Sequence, residues 1–320
     1  MAAARIAVIG AGAWGIALAT QAARAGALVH LWARHPETLS DARTLPRLPH
    51  VTLPETITVT DAMPTQADAV LLAVPMQHLR AVLAHIPPAG PMIACCKGVE
   101  RDTLALPLEV IADRYPDLPR AVLSGPNFAH EVAQGLPTAA VLACTDLTLA
   151  RTLADHLTTP TFRLYASDDA IGVQVGGAAK NVIAIAAGAT IGAGLGENAR
   201  ASLITRGLAE LGRLALGLGG RASTLSGLAG VGDLILTCTG PSSRNFSLGL
   251  ALGRGESLAA ILGSRTTVAE GVATAPAILA LARAHGIAVP VIETMSLLLA
   301  GDIGLNEARD RLLSRPVGIE

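Results

Sequence analysis

The sequence predicts an α/β fold with a doubly wound, mostly parallel sheet in the first half of the chain, followed by an all-α domain. Short apolar runs alternate with helix-like stretches up to about Asp168, after which Gly and Ala recur at helical spacing without a convincing strand. The 320 residues are enough for two domains of ordinary size. We therefore expect domains at residues 1–175 and 176–320.

The order of these runs predicts the individual elements. The β-branched run Arg5–Ile9 predicts a strand, Trp14–Ala25 a helix that ends at Gly26, and Ala27–Ala33 a second strand. Further elements of the first half are strands at Ala69–Val74, which Pro75 stops, Pro91–Cys96, Ala121–Ser124, Thr138–Ala143 and Phe162–Tyr165, and a helix at Met76–His85. Helices of the second half are expected at Ala178–Ala189, Arg200–Leu218 and Thr274–His285.

Composition excludes several classes of protein and partner. The chain is 51% hydrophobic and 15% charged, which excludes a disordered protein. Its 24 basic and 25 acidic residues leave a net charge of −1, so we expect no nucleic-acid partner. Four cysteines without a CxxC pair are typical of a reducing compartment, and the eight histidines show no metal-ligand spacing. We expect a cytoplasmic protein without a bound metal.

One uncharged run is almost long enough to span a membrane. It covers 18 residues, Ile6–Ala23, but contains Gly10, Gly12 and Gly15, which weaken a single apolar helix. We expect no membrane span. The oligomeric state is not fixed by the sequence, and a homodimer is compatible with it.

The same glycines form a GxGxxG motif, Gly-Ala-Gly-Ala-Trp-Gly at residues 10–15, directly after the first strand. The first glycine permits a tight turn, the second lets the backbone approach a pyrophosphate, and the third allows close packing of helix on strand. The pyrophosphate then binds free N–H groups at the helix N-terminus. This context predicts dinucleotide binding; the alternative is a glycine-rich turn that serves packing alone.

The end of the second strand bears on the choice between NAD and NADP. NAD sites usually place an acid there, whereas this strand ends Leu-Trp-Ala-Arg-His, with no acid before Glu37. Arg34 suits a 2′-phosphate and His35 is placed to assist it. The alternative is a surface arginine without that role.

Lys180 is the only charged residue among the 27 residues between Asp169 and Glu197. It lies within a predicted apolar helix, where an unpartnered ammonium is costly. Removal from water favours the neutral amine, which suits lysine to acid–base chemistry. The alternative is a lysine that extends along the helix to reach solvent.

Two other charges are isolated in the same way. Lys97 is the only charge between Arg80 and Glu100, and it directly follows a predicted strand. Ligands of open α/β sheets bind at the carboxyl ends of the strands. Asp233 is the only charge between residues 221 and 244, and it is a candidate partner for a buried cation. Each alone fits a core ion pair, but together they predict a site.

Residues 239–245, Thr-Gly-Pro-Ser-Ser-Arg-Asn, precede a helix expected to run to about Leu252. They combine two hydroxyls, a guanidinium and free N–H groups within one turn, the groups that bind a phosphate. The alternative is an ordinary serine N-cap beside a solvated arginine.

Taken together, these segments resemble the prokaryotic NAD(P)-dependent glycerol-3-phosphate dehydrogenases. The matching stretches run along most of the chain: Val8–Gly15, Leu72–Pro75, Cys96–Gly98, Ser124–Ala129, Gly172–Gln174, Gly177–Val182, Ile204–Leu208, Gly230–Cys238, Ser243–Asn245 and Val268–Gly271. Several motifs in order are far more specific than GxGxxG alone.

The resemblance implies a Rossmann domain followed by a helical domain of the 6-phosphogluconate dehydrogenase-like type. It implies reversible reduction of dihydroxyacetone phosphate to sn-glycerol 3-phosphate for glycerophospholipid synthesis, with NADPH or NADH as cofactor. We expect NADP to serve at least as well as NAD, because Arg34 stands where an NAD site has an acid.

The resemblance also implies roles for single residues. The catalytic residues are Lys180, as proton donor and acceptor, Lys97 and Asp233. The substrate contacts are Lys97, Gly125, Asn127, Lys180, Asp233, Ser243, Arg244 and Asn245. The cofactor contacts are Gly10, Gly12, Ala13, Trp14, Gly15, Arg34, His35, Lys97, Ala129, Arg244, Val268 and Glu270.

Two positions depart from the family pattern: Ala13 stands where many members have Ser, and Asn127 where many have Ser or Thr. Two other functions remain open at this point. One is a related reductase of another small phosphorylated or acidic carbonyl compound. The other is a non-enzymatic NAD(P)-sensing protein, which has no need of the isolated lysines.

Overall fold

A computed structural model describes residues 3–264 and 269–314. The chain forms two compact units, one of Met1–Lys97 with Ala105–Gln174 and the other of Gly98–Leu104 with Val175–Glu320. The sequence places Gly98–Leu104 in the first domain, whereas the structure groups this segment with the second unit. The sequence does not predict this grouping, because the grouping depends on contacts between Gly98–Leu104 and residues far along the chain.

The first unit is built on an eight-stranded sheet in the order β3-β2-β1-β4-β5-β6-β7-β8. All neighbouring strands are parallel except β6 and β7, which confirms the mostly parallel sheet. The order 3-2-1-4-5-6 is that of a doubly wound dinucleotide-binding sheet. The strands are β1 Arg5–Ile9, β2 Leu28–Trp32, β3 Ile57–Thr60, β4 Ala69–Leu72, β5 Met92–Ala94, β6 Arg120–Ser124, β7 Thr138–Ala143 and β8 Phe162–Ser167.

Five α-helices belong to this unit: α1 Ala13–Arg24, α2 Leu79–Leu83, α3 Pro107–Arg114, α4 Ala129–Gln134 and α5 Leu147–Asp155. The uncharged run at Ile6–Ala23 is thus a strand, a turn and a helix. The helix expected at Met76–His85 is shorter, because a 3₁₀ turn at Met76–His78 precedes α2. Strand β3 was not predicted; as an edge strand it is only partly buried, and its short Ile-Thr-Val-Thr run is a weak signal.

The sheet core explains why the short apolar runs form strands. β4 is buried at every position, as expected of a central parallel strand covered on both faces. Ile16 and Leu18 of α1 are completely buried, and Phe162 of β8 is among the largest buried side chains. Burial of one such apolar side chain stabilises the fold by about 1.5–3 kcal/mol.

Throughout residues 170–264 and 269–314, every regular element is a helix, which confirms the all-α second half. The α-helices are α6 Ala170–Gly192, α7 Gly196–Gly217, α8 Asp233–Thr239, α9 Arg244–Gly253, α10 Leu258–Gly263, α11 Glu270–Ala284, α12 Pro290–Ala300 and α13 Leu305–Leu313. Helix α6 is long and apolar enough to cross a membrane, but 94% of its most apolar window is buried in protein. That burial is the pattern of a core helix.

Glycines let two helices of the second unit approach closely. A Cβ at Gly188 or Gly192 of α6 would overlap the carbonyl oxygens of Phe246 and Leu250 in α9. Conversely, a Cβ at Gly249 or Gly253 of α9 would overlap backbone atoms of α6. Glycines that recur at helical spacing in the second half therefore permit a backbone-to-backbone contact between α6 and α9.

Candidate active site

The first unit carries the GxGxxG motif in the turn from β1 to α1. Gly10 has φ of +110°, and a Cβ there would lie 2.9 Å from the carbonyl oxygen of Ala73 after β4. A Cβ at Gly15 would overlap the carbonyl oxygen of Gly10. The backbone N–H of Gly10 also donates to the carbonyl of Trp32 at 3.1 Å. The first and third glycines therefore perform the turn and packing roles that the sequence predicts.

Gly12 and the start of α1 fit a bound pyrophosphate. Gly12 is the N-cap of α1, and the position of its missing Cβ has no heavy atom within 4 Å. As a glycine, Gly12 has no side chain that could cap this helix end, and the first turn contains no acidic residue. The N–H groups at Ala13, Trp14 and Gly15 thus begin a helix whose positive end suits an anion.

The two residues after β2 that are candidates for binding a 2′-phosphate lie on the surface of the first unit. Arg34 is exposed, so its guanidinium is accessible to the phosphate of a ligand that binds from solvent. The Nδ1 atom of the exposed His35 lies 3.0 Å from Oε1 of Glu37, so the first acid after this strand is paired locally. The contact between Gly10 and the carbonyl of Trp32 joins the end of β2 to the glycine turn.

Other predicted residues follow the carboxyl ends of β5 and β6, strands that lie side by side. Nζ of the half-buried Lys97 donates to the carbonyl of Gly125 at 3.2 Å. A Cβ at Gly125, whose φ is +156°, would lie 2.8 Å from Cα of Ala140. This glycine is therefore required for the close approach of β7, and the structure brings Lys97 and Gly125 together.

Asn127 and Ala129 follow in the same turn. Oδ1 of Asn127 lies 3.0 Å from Oγ1 of Thr138, so a neighbouring strand orients this amide. Ala129 is the first residue of α4. The hydroxyl of Ser124, 3% exposed, has no hydrogen-bond partner within the part of the chain that the structure describes. A polar group bound at this strand end would satisfy it.

The second unit pairs two of the isolated charges. Lys180 lies on α6 and is 7% exposed, while Asp233 begins α8 and is completely buried. Nζ of Lys180 donates to Oδ1 of Asp233 and, at 2.8 Å, to Oγ1 of Thr237. The hydroxyl of Thr237 in turn donates to the backbone carbonyl of Asp233 at 2.6 Å. The carboxylate compensates the buried ammonium, so Lys180 does not extend to solvent as a surface lysine would.

Two further glycines explain how α8 reaches Lys180. A Cβ at Gly176, one turn before Lys180 on α6, would overlap the carbonyl oxygen of Ala229. A Cβ at Gly230 would overlap the backbone of Leu225. Both glycines make room for the π turn Leu228–Gly232 that leads into Asp233. Gly176 and Gly230 therefore permit the close approach that brings Lys180 into contact with Asp233.

Residues of the predicted phosphate-binding segment begin α9. The Oγ atom of Ser243 accepts the N–H of Phe246 at 3.2 Å, so this hydroxyl is the N-cap of the helix. The N-cap reading that the sequence left open therefore holds for Ser243. Arg244 is exposed at the first position of α9. An exposed guanidinium at a helix N-terminus retains the geometry for an anion.

A buried amide network joins α9 to α6 and α11. Nδ2 of Asn245 donates to Oδ1 of Asn181 at 2.9 Å, and the N–H of Gly271 donates to Oδ1 of Asn245 at 3.0 Å. Asn181 follows Lys180 directly, and Glu270 begins α11 beside Gly271. The network therefore links the segments that carry Lys180, Asn245 and Glu270. Val268, another predicted cofactor contact, lies outside the described residues.

Thr237 and Asn181 make site contacts that isolated charges in the sequence do not reveal. Neither is charged, and each lies in an apolar helix. In such a helix the sequence does not distinguish a small polar residue that makes a site contact from one that only packs against its neighbours. Thr237 stands four residues after Asp233, a spacing that places both side chains on one helix face. That spacing was the available signal.

The cysteines show no sign of nucleophilic chemistry. All four are buried thiols that form no disulfide. Burial raises the pKa of Cys238 to about 12, an effect that the nearby Lys180 ammonium opposes. Burial together with the adjacent Cys96 raises the pKa of the Cys95 thiol well above its ordinary value. Because the thiolate is the reactive form, these raised pKa values disfavour nucleophilic chemistry at Cys95 and Cys238.

The chain matches two models of one protein family. The model of the NAD-dependent glycerol-3-phosphate dehydrogenase N-terminus matches residues 5–150, and that of the C-terminus matches residues 169–310. Together the two models cover strands β1 to β7 of the sheet in the first unit and most of the helices of the second.

Individual relatives match over nearly the whole chain. A glycerol-3-phosphate dehydrogenase [NAD(P)+] from Gluconobacter oxydans is 62% identical over 315 residues, which cover 97% of each chain. One from Acidiphilium cryptum is 56% identical over 313 residues, covering 97% of this chain and 96% of the relative. The crystal structure of glycerol-3-phosphate dehydrogenase from Coxiella burnetii is 37% identical, with a TM-score of 0.89 over 98% of this chain and 99% of that one.

Proposed function

Since the chain belongs to the NAD(P)-dependent glycerol-3-phosphate dehydrogenase family, we propose that it reversibly reduces dihydroxyacetone phosphate to sn-glycerol 3-phosphate. The observation that carries the chemistry is the buried contact of Lys180 with Asp233 and Thr237. It supports acid–base catalysis, because a lysine held inside protein by a carboxylate is an unusual and costly arrangement.

The first unit supplies the features that a dinucleotide requires. We assign the pyrophosphate to Gly10, Gly12, Gly15 and the N–H groups of the first turn of α1, with Ala13 and Trp14 in that turn. When bound, the nicotinamide cofactor supplies or accepts the hydride. The family uses both NAD and NADP, as the names of the relatives state. Arg34 is proposed to bind the 2′-phosphate of NADP, with His35 beside it.

Lys180 is proposed as the proton donor in the direction of reduction. Hydride addition to a ketone leaves negative charge on the carbonyl oxygen, and Nζ of Lys180 donates a proton to that oxygen. In the reverse direction the neutral amine removes the proton from the alcohol. A positioned general acid contributes about 10²–10⁴-fold to the rate.

Asp233 and Thr237 orient this proton donor. Each accepts a hydrogen bond from the Lys180 ammonium, which has three N–H donors. Their anchoring to successive turns of α8 restricts the direction of Nζ. Such pre-organisation keeps the proton near its acceptor without reorganisation during the reaction.

The remaining predicted residues are proposed to hold the substrate and the cofactor. Arg244, with Ser243 and Asn245 at the start of α9, would anchor the phosphate of dihydroxyacetone phosphate. Ser243 would act there through its cap of the helix N-terminus. Further substrate contacts are proposed for Lys97, Gly125 and Asn127, and further cofactor contacts for Lys97, Ala129, Arg244, Val268 and Glu270.

The cellular setting is also part of the proposal. The product, a glycerol phosphate with two free hydroxyls, suits acylation into glycerophospholipids, and we place the reaction in the cytoplasm. The partner is a small molecule, and we propose a homodimer. Sedimentation of the purified protein tests the assembly: a single species at the mass of one 32.5 kDa chain would refute the homodimer.

The experiment that tests the activity follows NADPH absorbance at 340 nm after addition of dihydroxyacetone phosphate. Dihydroxyacetone, which lacks the phosphate, and an unrelated 2-keto acid serve as controls. We expect rapid oxidation with the phosphorylated ketone and little with either control. Equal rates with the keto acid would favour a related reductase. Cofactor binding without turnover of any substrate would favour a sensing protein.

A further inference from the structure

The only two tryptophans of the chain make the same kind of hydrogen bond in the first unit. The indole N–H of Trp14 donates to the carbonyl of Cys95 at 3.2 Å, and that of Trp32 donates to the carbonyl of Asp61 at 2.9 Å. In both cases the acceptor lies just beyond the carboxyl end of a strand, β5 for Cys95 and β3 for Asp61. The consequences differ, because only the chain after Cys95 leads to a predicted substrate contact.

Trp14 connects the glycine turn to the end of β5. It lies in the first turn of α1, and its acceptor is 81 residues further along the chain. Cys95 is held on its other side as well, because its N–H donates to the carbonyl of Leu72 at 3.0 Å. The peptide that follows β5 is therefore fixed by one bond from the sheet and one from the indole.

Lys97 follows two residues later, beyond the last residue of β5. Its Nζ makes a 3.2 Å bond to the carbonyl of Gly125, near the long end of ordinary N–H···O distances. The position that a long, flexible lysine side chain reaches depends on the placement of its own backbone. The indole N–H of Trp14 binds a carbonyl only two residues before Lys97.

We infer that Trp14 is a positioning residue for Lys97, acting through the indole N–H on the Cys95 carbonyl. This inference rests on the proposed function of Lys97 as a substrate contact. It gives Trp14 a role beyond contact with the dinucleotide, and it assigns the two roles to separate parts of the side chain. The ring lies at the cofactor turn, whereas the N–H holds the backbone that leads to the lysine.

The first test replaces the indole by a ring that cannot donate. Trp14→Phe is expected to raise KM for dihydroxyacetone phosphate about five- to tenfold, the effect of one hydrogen bond. The Kd for NADPH, followed by NADPH fluorescence, is expected to change less than twofold. An equal rise in both constants would mean that Trp14 acts through the dinucleotide, and an unchanged KM would mean that the bond positions nothing. Either result overturns the inference.

Trp32→Phe is the matched control, because it removes the same donor from a carbonyl that does not lead to Lys97. We expect its KM for dihydroxyacetone phosphate to equal that of the wild type. If Trp14→Phe fails to fold, an amino acid with sulfur in place of the indole N–H preserves the ring shape and repeats the test. A KM rise of similar size in the Trp32 variant would contradict a specific role for Trp14.

A double-mutant cycle separates positioning from a general loss of structure. In a Lys97→Met background, Trp14→Phe should have little further effect on KM, because the residue through which it acts is gone. Full additivity would show that Trp14 acts elsewhere. Failure of the proposed function is distinguishable from both results, because the wild-type enzyme would then not turn over dihydroxyacetone phosphate at all.

Discussion

At the scale of single residues, a buried ammonium destabilises the fold unless a partner compensates its charge. Because of this requirement, an isolated lysine in an apolar stretch predicts a site in the sequence. Lys180 and Asp233 each stand alone in a long uncharged stretch, and the structure pairs them. Thr237 could not be found in the same way, because its importance comes from an approach of α6 and α8 that no local pattern encodes. The N-cap role of Ser243, by contrast, is one of two alternatives that the sequence allows, because this role depends on where α9 begins.

Arg244 provides a residue-scale prediction about the substrate. If its guanidinium binds the phosphate, Arg244→Ala should raise KM for dihydroxyacetone phosphate by about ten- to a hundredfold, the value of a hydrogen bond to a charged group. Arg244→Lys should restore part of this loss, because the charge remains but the planar fork does not. Steady-state kinetics with the three proteins provides the measurement. An unchanged KM in the alanine variant would leave the phosphate site unassigned.

Arg34 provides the corresponding prediction for the cofactor. No acid stands before Glu37 after this strand, so no carboxylate at the strand end repels a 2′-phosphate. Arg34→Ala should weaken NADPH binding about ten- to a hundredfold while leaving NADH binding nearly unchanged. Fluorescence titration of wild type and variant with each dinucleotide tests this. Equal losses for both cofactors would show that Arg34 does not bind the 2′-phosphate.

At the scale of secondary-structure elements, helix α9 must lie close to α6 for its first residues to face the same network as Asn181. The glycines at the α6–α9 contact permit this approach. The sequence shows small residues at helical spacing but not which helices pack together through them. That packing depends on residues far apart in the chain. The same limit explains β3, whose position at the sheet edge left too little burial for a clear pattern.

Gly249 is the element-scale test. A methyl group there would overlap the carbonyl oxygen of Ile185, so Gly249→Ala must displace α9 from α6. Overpacking of this kind typically destabilises by about 1–3 kcal/mol, measured as a free energy of unfolding in urea. Because Arg244 and Asn245 begin the displaced helix, KM for dihydroxyacetone phosphate should rise as well.

Gly263→Ala is the control, because the position of its Cβ at the end of α10 is open. Alanine favours a helix over glycine, so this variant should be as stable as the wild type or more stable. If Gly249→Ala were equally harmless in both stability and KM, the close contact would not position the phosphate-binding residues.

At the scale of the whole molecule, the sequence predicted the mostly parallel sheet and the all-α second half, because each is a repeated pattern summed over many residues. It could not predict that Gly98–Leu104 groups with the second unit, since seven residues carry no periodic signal and their place depends on distant partners.

Buried thiols make the stability of the protein depend on alkaline pH. Burial raises the pKa of Cys238 to about 12 from 9.0, so the folded state keeps the proton while the unfolded chain loses it above pH 9. This contribution to stability is complete below pH 9 and is lost as pH rises toward 12. The free energy of unfolding should therefore fall less steeply between pH 9 and 10.5 in Cys238→Ser than in wild type, measured by urea denaturation. Parallel curves would show that this thiol contributes nothing to the alkaline loss.

The central claim is that Lys180 supplies the proton, and the kcat of Lys180→Met tests it most directly. Methionine preserves the length and apolar stem of the side chain but carries no proton, so kcat should fall at least about 10²-fold, the value of a general acid. NADPH affinity, titrated on the same sample, should stay close to that of the wild type, because Lys180 is not among the proposed cofactor contacts. A variant that binds NADPH normally and retains more than about a tenth of wild-type kcat would contradict the role of Lys180 as proton donor.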